Sequence, residues 1–291
     1  MGLDLAAAAR NVLVAACALT VGACAMDGRR LSTPDLSGAQ YVALGSSFAA
    51  GPGVTVSADR PPTRCARSAD NYAQLLARRL NLHLRDVSCS GATTTHILGA
   101  WRELPPQIDA VSADTRLITL TIGGNDVGYI GTLITDSCRS FPAPPPGTPG
   151  GKCPVVTIPS GAWTQVDLAM RQIVAEIRRR SPKAQIIFVD YLTVLPARGR
   201  CATTPLTAQQ ADTGRATAKR LAALTARVAA ETGSEVLKMS AMSRSHDACS
   251  SEPWVSGFSL TASPGTIPYH PNARGMAAVA DALARRIAPD R

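Results

Sequence analysis

Three times along this chain an apolar, strand-like run stops at a short turn of small residues. Residues 41–44 run into Gly45-Ser46-Ser47, with Gly51 close behind. Residues 82–88 run into Cys89-Ser90-Gly91-Ala92-Thr93-Thr94, and residues 116–122 into Gly123-Gly124-Asn125-Asp126. Strands that end alike, with helices between them, belong in a parallel sheet whose carboxyl-terminal edge gathers the turns. The helical spacing is present. It covers 71–80 (Tyr72, Leu75, Leu76, Leu80), 164–180 (Val166, Met170, Ile173, Val174, Ile177) and 272–287 (Met276, Val279, Leu283, Ile287), with an alanine-rich stretch over 207–231. Residues 184–190 and 235–239 supply two further strands. Right-handed crossovers then give an α/β fold, a three-layer α/β/α sandwich of about five parallel strands. With no break in composition and no internal repeat, residues 39–291 are expected to form one domain.

The amino terminus reads as a targeting segment. Arg10 precedes an apolar run, Val12 to Ala23, too short to span a bilayer comfortably. The run closes on Val21-Gly22-Ala23-Cys24, which resembles a bacterial lipobox with Cys24 as the lipidated first residue; cleavage after the small residues 23–25 is the competing reading. The expectation is a signal peptide over 1–23, a polar tether over 24–38 and an exported chain held at the envelope by a lipid anchor. Monomer is the default state.

Setting aside Cys17 and Cys24 leaves six of the eight cysteines: Cys65, Cys89, Cys138, Cys153, Cys201 and Cys249. An even number in an exported chain implies disulfides, though six leave many pairings open. Sequential pairing, Cys65–Cys89, Cys138–Cys153 and Cys201–Cys249, is expected, since it closes one loop region per bridge. No C-x-x-C pair points to zinc, and no metal or organic cofactor is implied. The formal charge of +9 suits an anionic surface. Sparse aromatics and the lack of a stacking or groove-reading motif argue against nucleic acid. Arg178-Arg179-Arg180 reads as a solvated helix end that complements the helix dipole.

A strand, a tight turn and then a helix present a serine well, and a serine nucleophile needs a base. His83 sits within a strand, His96 just after the second turn, and His246 beside Cys249. His270 lies in Pro268-Tyr269-His270-Pro271-Asn272, stiffened by prolines just before the last helix. An α/β-hydrolase elbow fits poorly: Ala49 stands where the second glycine of G-x-S-x-G should be, and Ser47 follows the first strand.

Four blocks in order resemble the SGNH, or GDSL-type, hydrolases, nearest the secreted actinobacterial esterases and lipases with three disulfides. They are Gly45-Ser46-Ser47 with Gly51, Ser90-Gly91-Ala92, Gly123-Gly124-Asn125-Asp126 and His270-Pro271-Asn272, so the likeness covers about 40–288. The resemblance implies an acyl-ester hydrolase with Ser47 as nucleophile and His270 as base. Its oxyanion hole would be the Ser47 N–H, the Gly91 N–H and the Asn125 side chain. The same site could serve a carbohydrate O-deacetylase or an acyltransferase, and a catalytically silent acyl-binding lipoprotein is the alternative of another class. Two positions depart from the family. Ser46 replaces the usual aspartate before the serine, and Ile267 replaces the acid three residues before the histidine. The main-chain oxygen of Ile267, or a neighbour, is therefore expected to orient His270, with Asp126 structural.

Overall fold

The structure is a computed structural model, and residues 36–145, 148–258 and 266–288 of it are described. The expected signal peptide, Cys24 and most of the tether lie outside those residues.

The chain runs β1 (Gln40–Gly45), α1 (Ser47–Ala50), α2 (Tyr72–Leu80), β2 (His83–Asp86), α3 (Thr94–Leu98) and β3 (Thr115–Thr121). It continues α4 (Tyr129–Arg139), α5 (Ala162–Arg180), β4 (Gln185–Val189), α6 (Ala208–Glu231), β5 (Glu235–Leu237), α7 (Met239–Met242) and α8 (Ala273–Ile287). The strands form one parallel sheet in the order β2-β1-β3-β4-β5. Tyr41, Leu44, Leu117, Ile118, Leu120 and Phe188 are fully buried. The inner strands β1 and β3 therefore read as nearly unbroken apolar runs, as strands covered on both faces do.

Connection direction sorts the helices into layers. From β1 the chain steps through α2 to β2 on one side; from β3 it steps through α5 and α6 to β4 and β5 on the other. Right-handed crossovers in opposite directions put their helices on opposite faces. Accordingly α2 packs with α8, while α5 packs with α6 and α3. The direction reverses between β1 and β3, and ligands of open α/β sheets bind at the carboxyl end of such a switch point. Ser47 immediately follows β1.

The helices start where their sequence allows. Asn71 accepts the Gln74 N–H, Asn272 accepts the Gly275 N–H, and Thr207 with Gln210 forms a reciprocal capping box. Leu36 packs against the core, and the Gly38 N–H donates to the Asn81 carbonyl (2.7 Å). Three disulfides pair the six cysteines in sequence: Cys65–Cys89, Cys138–Cys153 and Cys201–Cys249. Among the described residues no helix is long and apolar enough to cross a membrane.

Candidate active site

The three small-residue turns are stitched into one edge by backbone hydrogen bonds. The Ser46 N–H donates to the Thr121 carbonyl at the end of β3 (2.9 Å), and the Cys89 N–H donates to the Gly45 carbonyl (3.0 Å). Gly45 is required where it stands. Its φ is 134°, and an added Cβ would lie 2.5 Å from the Thr121 oxygen. Its peptide groups are also gripped by a residue that sequence reasoning missed. The Gln107 side chain accepts the Gly45 N–H (2.8 Å) and donates to the Gly45 carbonyl (3.0 Å). Nothing in the sequence around Gln107 marks it, because the contact spans sixty-two residues of chain. Gln107→Ala leaves the buried Gly45 N–H unpaired, at a cost of about 2 kcal/mol. The expected results are a Tm lower by about 5 °C in a thermal scan and a reduced kcat.

From this turn Ser47 opens α1 and meets His270. The His270 Nε2 lies 2.8 Å from the Ser47 Oγ, and both residues are buried. The Nδ1 lies 2.9 Å from the Pro268 carbonyl oxygen. A carbonyl can only accept, so Nδ1 carries the proton and the Nε2 lone pair faces the serine hydroxyl. Burial holds the imidazole neutral, pushing its pKa down to about 4; the Pro268 carbonyl opposes the shift.

The acceptor is thus Pro268 and not Ile267. The Ile267 carbonyl takes the His270 backbone N–H (3.3 Å) and closes a turn over 267–270. Pro268 follows the turn's first residue and Tyr269 adopts φ 60°, the pattern of a type II turn. Such a turn spends its first carbonyl on its own closure. The next carbonyl is left to meet the ring.

A positive φ is strained for a tyrosine, and the surroundings hold it. Tyr269 is fully buried and its hydroxyl pairs with the Ser137 Oγ of α4 (2.6 Å). The loop is also strapped to the segment before it. The Tyr269 N–H donates to the Ser256 carbonyl and the Ser256 N–H to the His270 carbonyl, while the Phe258 N–H donates to the Thr203 carbonyl. Thr203 is anchored beside the Cys201–Cys249 bridge, whose sequence separation is 48. Closing a loop of that length stabilises by up to about 4 kcal/mol. The Cys201→Ser/Cys249→Ser variant is expected to melt about 10 °C lower, and its kcat to fall with the loosened strap.

The asparagine block sits beside the second turn. The Asn125 Nδ2 donates to the Ala92 carbonyl (2.8 Å), next to Gly91, which leaves its second amide hydrogen for another acceptor. Asp126 holds α3, accepting the Thr94 N–H (3.0 Å) and hydroxyl (2.6 Å); burial raises its pKa against those bonds. Ser46 takes the family's aspartate position without disturbing the turn. Its Oγ lies 3.4 Å from the hydroxyl of Tyr191, a second residue missed in the sequence. Tyr191 accepts the Gly124 N–H (2.9 Å) and packs on Phe48, with ring centroids 4.6 Å apart. Trp101 forms a wall beside Gly91, 3.2 Å from where a Cβ would be; its ring stacks on His96 and also carries the Arg64 guanidinium.

The other histidines are used elsewhere. His96 caps α3 through Thr93, His246 stacks on Trp254, and His83 is exposed on β2. Among the described residues no group of three His, Cys, Asp or Glu could hold a metal ion.

Residues 43–278 match the GDSL-like lipase/acylhydrolase family. The chain is 31% identical over 255 residues to Lipase 2 of Streptomyces coelicolor, covering 84% of this chain and 83% of that protein. Among solved structures it is similar to an extracellular lipase from Streptomyces rimosus (TM-score 0.65, 26% identity), over 84% of this chain and 98% of that one. It shares the fold of phospholipase A1 from Streptomyces albidoflavus (TM-score 0.68, 23% identity), over 85% and 98% of the two chains.

Proposed function

This chain belongs to the GDSL-like lipase/acylhydrolase family, an ester hydrolase by that membership, and from that premise we propose that it cleaves acyl esters through an acyl-enzyme on Ser47. The observation that carries the reading is the 2.8 Å contact between the Ser47 Oγ and a His270 ring whose other nitrogen is held by a carbonyl. His270 takes the serine proton as the oxygen attacks the ester carbonyl. It returns that proton to the departing alcohol, then activates water to release the acid. The Ser47 and Gly91 N–H groups and the Asn125 amide would receive the negative charge developing on the carbonyl oxygen. Each such donor is worth about 3–4 kcal/mol when judged by its removal.

The carbonyl in place of an acid is compatible with this role. Where an amide replaces a triad's acid, the rate falls about 10⁴-fold because the imidazole takes the wrong tautomer. The Pro268 carbonyl accepts from Nδ1 and so favours the right tautomer. It contributes a dipole, not a full charge, to stabilise the imidazolium.

Export and envelope anchoring through Cys24 belong to the same proposal. They are supported by the apolar segment, the lipobox-like residues 21–24 and the disulfides, which persist in oxidising compartments. The similar lipase from Streptomyces rimosus is itself described as extracellular. The test is turnover of p-nitrophenyl esters from acetyl to palmitoyl by the oxidised chain from Met26. Hydrolysis that rises with acyl length supports a lipase, and hydrolysis confined to acetyl supports an O-deacetylase. No turnover on any of them contradicts a general esterase.

A further inference from the structure

A cavity lies between α6 and the segments that follow β4 and β5, and neither Ser47 nor His270 lines it. Its volume is about 430 Å³, within the range of small-molecule sites. Ala197, Ala218 and Ala222 supply its accessible apolar surface, backed by the buried Leu192, Val194 and Leu195, and Lys219 and Arg244 stand on the same cavity as exposed cations. We propose that this cavity binds a fatty carboxylate, with the carboxylate between Lys219 and Arg244 and the hydrocarbon chain over the alanine-lined surface.

Three observations support it. The first is that the cavity is framed by fixed contacts between its walls. The Thr193 N–H donates to the Ser243 Oγ (2.8 Å), and the Thr193 hydroxyl donates to the Ser240 carbonyl (2.7 Å). Across the cavity, Arg215 of α6 donates to the carbonyls of Pro196 and Gly199, both at 3.1 Å. A site framed this way needs little ordering when a ligand enters.

The second is charge. Arginines elsewhere on the surface are mostly engaged. Arg171, Arg179, Arg180 and Arg227, for example, all pair with carboxylates. The side chains of Lys219 and Arg244 have no ion pair or hydrogen bond among the described residues. Two uncommitted cations on one apolar cavity complement an anion with a greasy tail. The cavity's own carboxylate does not cancel them. Asp190 is turned to Ser240, accepting its N–H (2.8 Å) and its hydroxyl (2.6 Å).

The third is separation from the proposed chemistry. None of Ser47, Gly91, Asn125 and His270 lines the cavity; Tyr191, which does, packs on Phe48 of the helix that Ser47 begins. The ligand class is that of the acid an ester hydrolysis releases; that link alone rests on the proposed function, and the binding site does not.

The test is calorimetric titration of dodecanoate, below its micellar concentration, into the disulfide-bonded chain from Met26 and its Ser47→Ala variant. One site of equal affinity is expected in both. Lys219→Glu/Arg244→Glu should weaken binding at least about tenfold, the loss of roughly one charge-assisted contact. Ala222→Trp, which fills the cavity, should abolish it. p-Nitrophenyl acetate turnover should stay within about twofold of wild type in both cavity variants, because none of these side chains is hydrogen-bonded to Ser47, His270 or the turns that carry them. Dodecanol should bind at least about tenfold more weakly than dodecanoate. Unchanged dodecanoate binding in the double variant, or equal binding of alcohol and acid, overturns the proposal. Should Ala222→Trp not fold, the double variant decides alone, since both its positions are exposed. Failure of the proposed hydrolysis would show separately, as turnover unaffected by Ser47→Ala.

Discussion

Ser47→Ala lowers kcat on p-nitrophenyl esters by at least about 10⁴-fold, the loss seen when a nucleophile that works as a unit with its base is removed. The substitution deletes one buried hydroxyl, and the turn that carries it is held by others: Ser46 on Thr121, Cys89 on Gly45, and Gln107 on both Gly45 peptide groups. The variant is therefore expected to melt within about 3 °C of the wild type. Substrate binding should persist while chemistry stops, so kcat falls far more than KM rises. A variant that keeps more than about a tenth of wild-type kcat would place the nucleophile elsewhere.

His270→Ala should cost a similar factor, about 10⁴-fold in kcat, because a serine hydroxyl without a base is a weak nucleophile. The wild-type pH profile carries a second signature. The neutral imidazole is the active form, and burial places its pKa at about 4. Activity should therefore be lost only as pH falls through about 4, with kcat/KM flat from about pH 5.5 to 8. An ordinary histidine would begin to lose activity near its usual pKa of about 6.5. The shift follows from burial of the ring, which the Pro268 carbonyl only partly offsets; an aspartate on Nδ1 would oppose it more strongly. A profile that falls below about pH 6.5 would mean that the ring is solvated or faces a carboxylate in solution.

Much of this was legible in the residues. Strand runs that end in glycine and serine gave the parallel sheet and the edge carrying Ser47, Gly91 and Asn125. The amphipathic spacing placed α2, α5 and α8, and the alanine-rich run placed α6; Asn71, Thr207 and Asn272 mark three of the starts chemically. Helix α4 was not legible. Its segment, residues 129–139, holds Gly131, Thr132 and Thr135, residues of modest helix propensity. Packing of Ile130 and Leu133 into the core makes it a helix. The last strand is two residues shorter than its sequence pattern, because Lys238 and Met239 turn away into α7.

At the site the illegible parts are the long-range ones. Gln107 and Tyr191 fix Gly45 and Gly124 from distant segments, and no local pattern announces a side chain that serves another segment's backbone. The carbonyl that orients His270 could be narrowed to a neighbourhood but not to an atom. Choosing between Ile267 and Pro268 required knowing that residues 267–270 close a turn with Tyr269 at positive φ.

The most direct test of the central claim is to treat the oxidised chain from Met26 with a fluorophosphonate and map the adduct by peptide mass spectrometry. A serine made nucleophilic by a neutral, correctly oriented histidine should form one adduct, on Ser47, and His270→Ala should slow its formation at least about 10²-fold. An adduct on another residue, or none on a folded protein, would contradict the Ser47–His270 pair as the reacting centre.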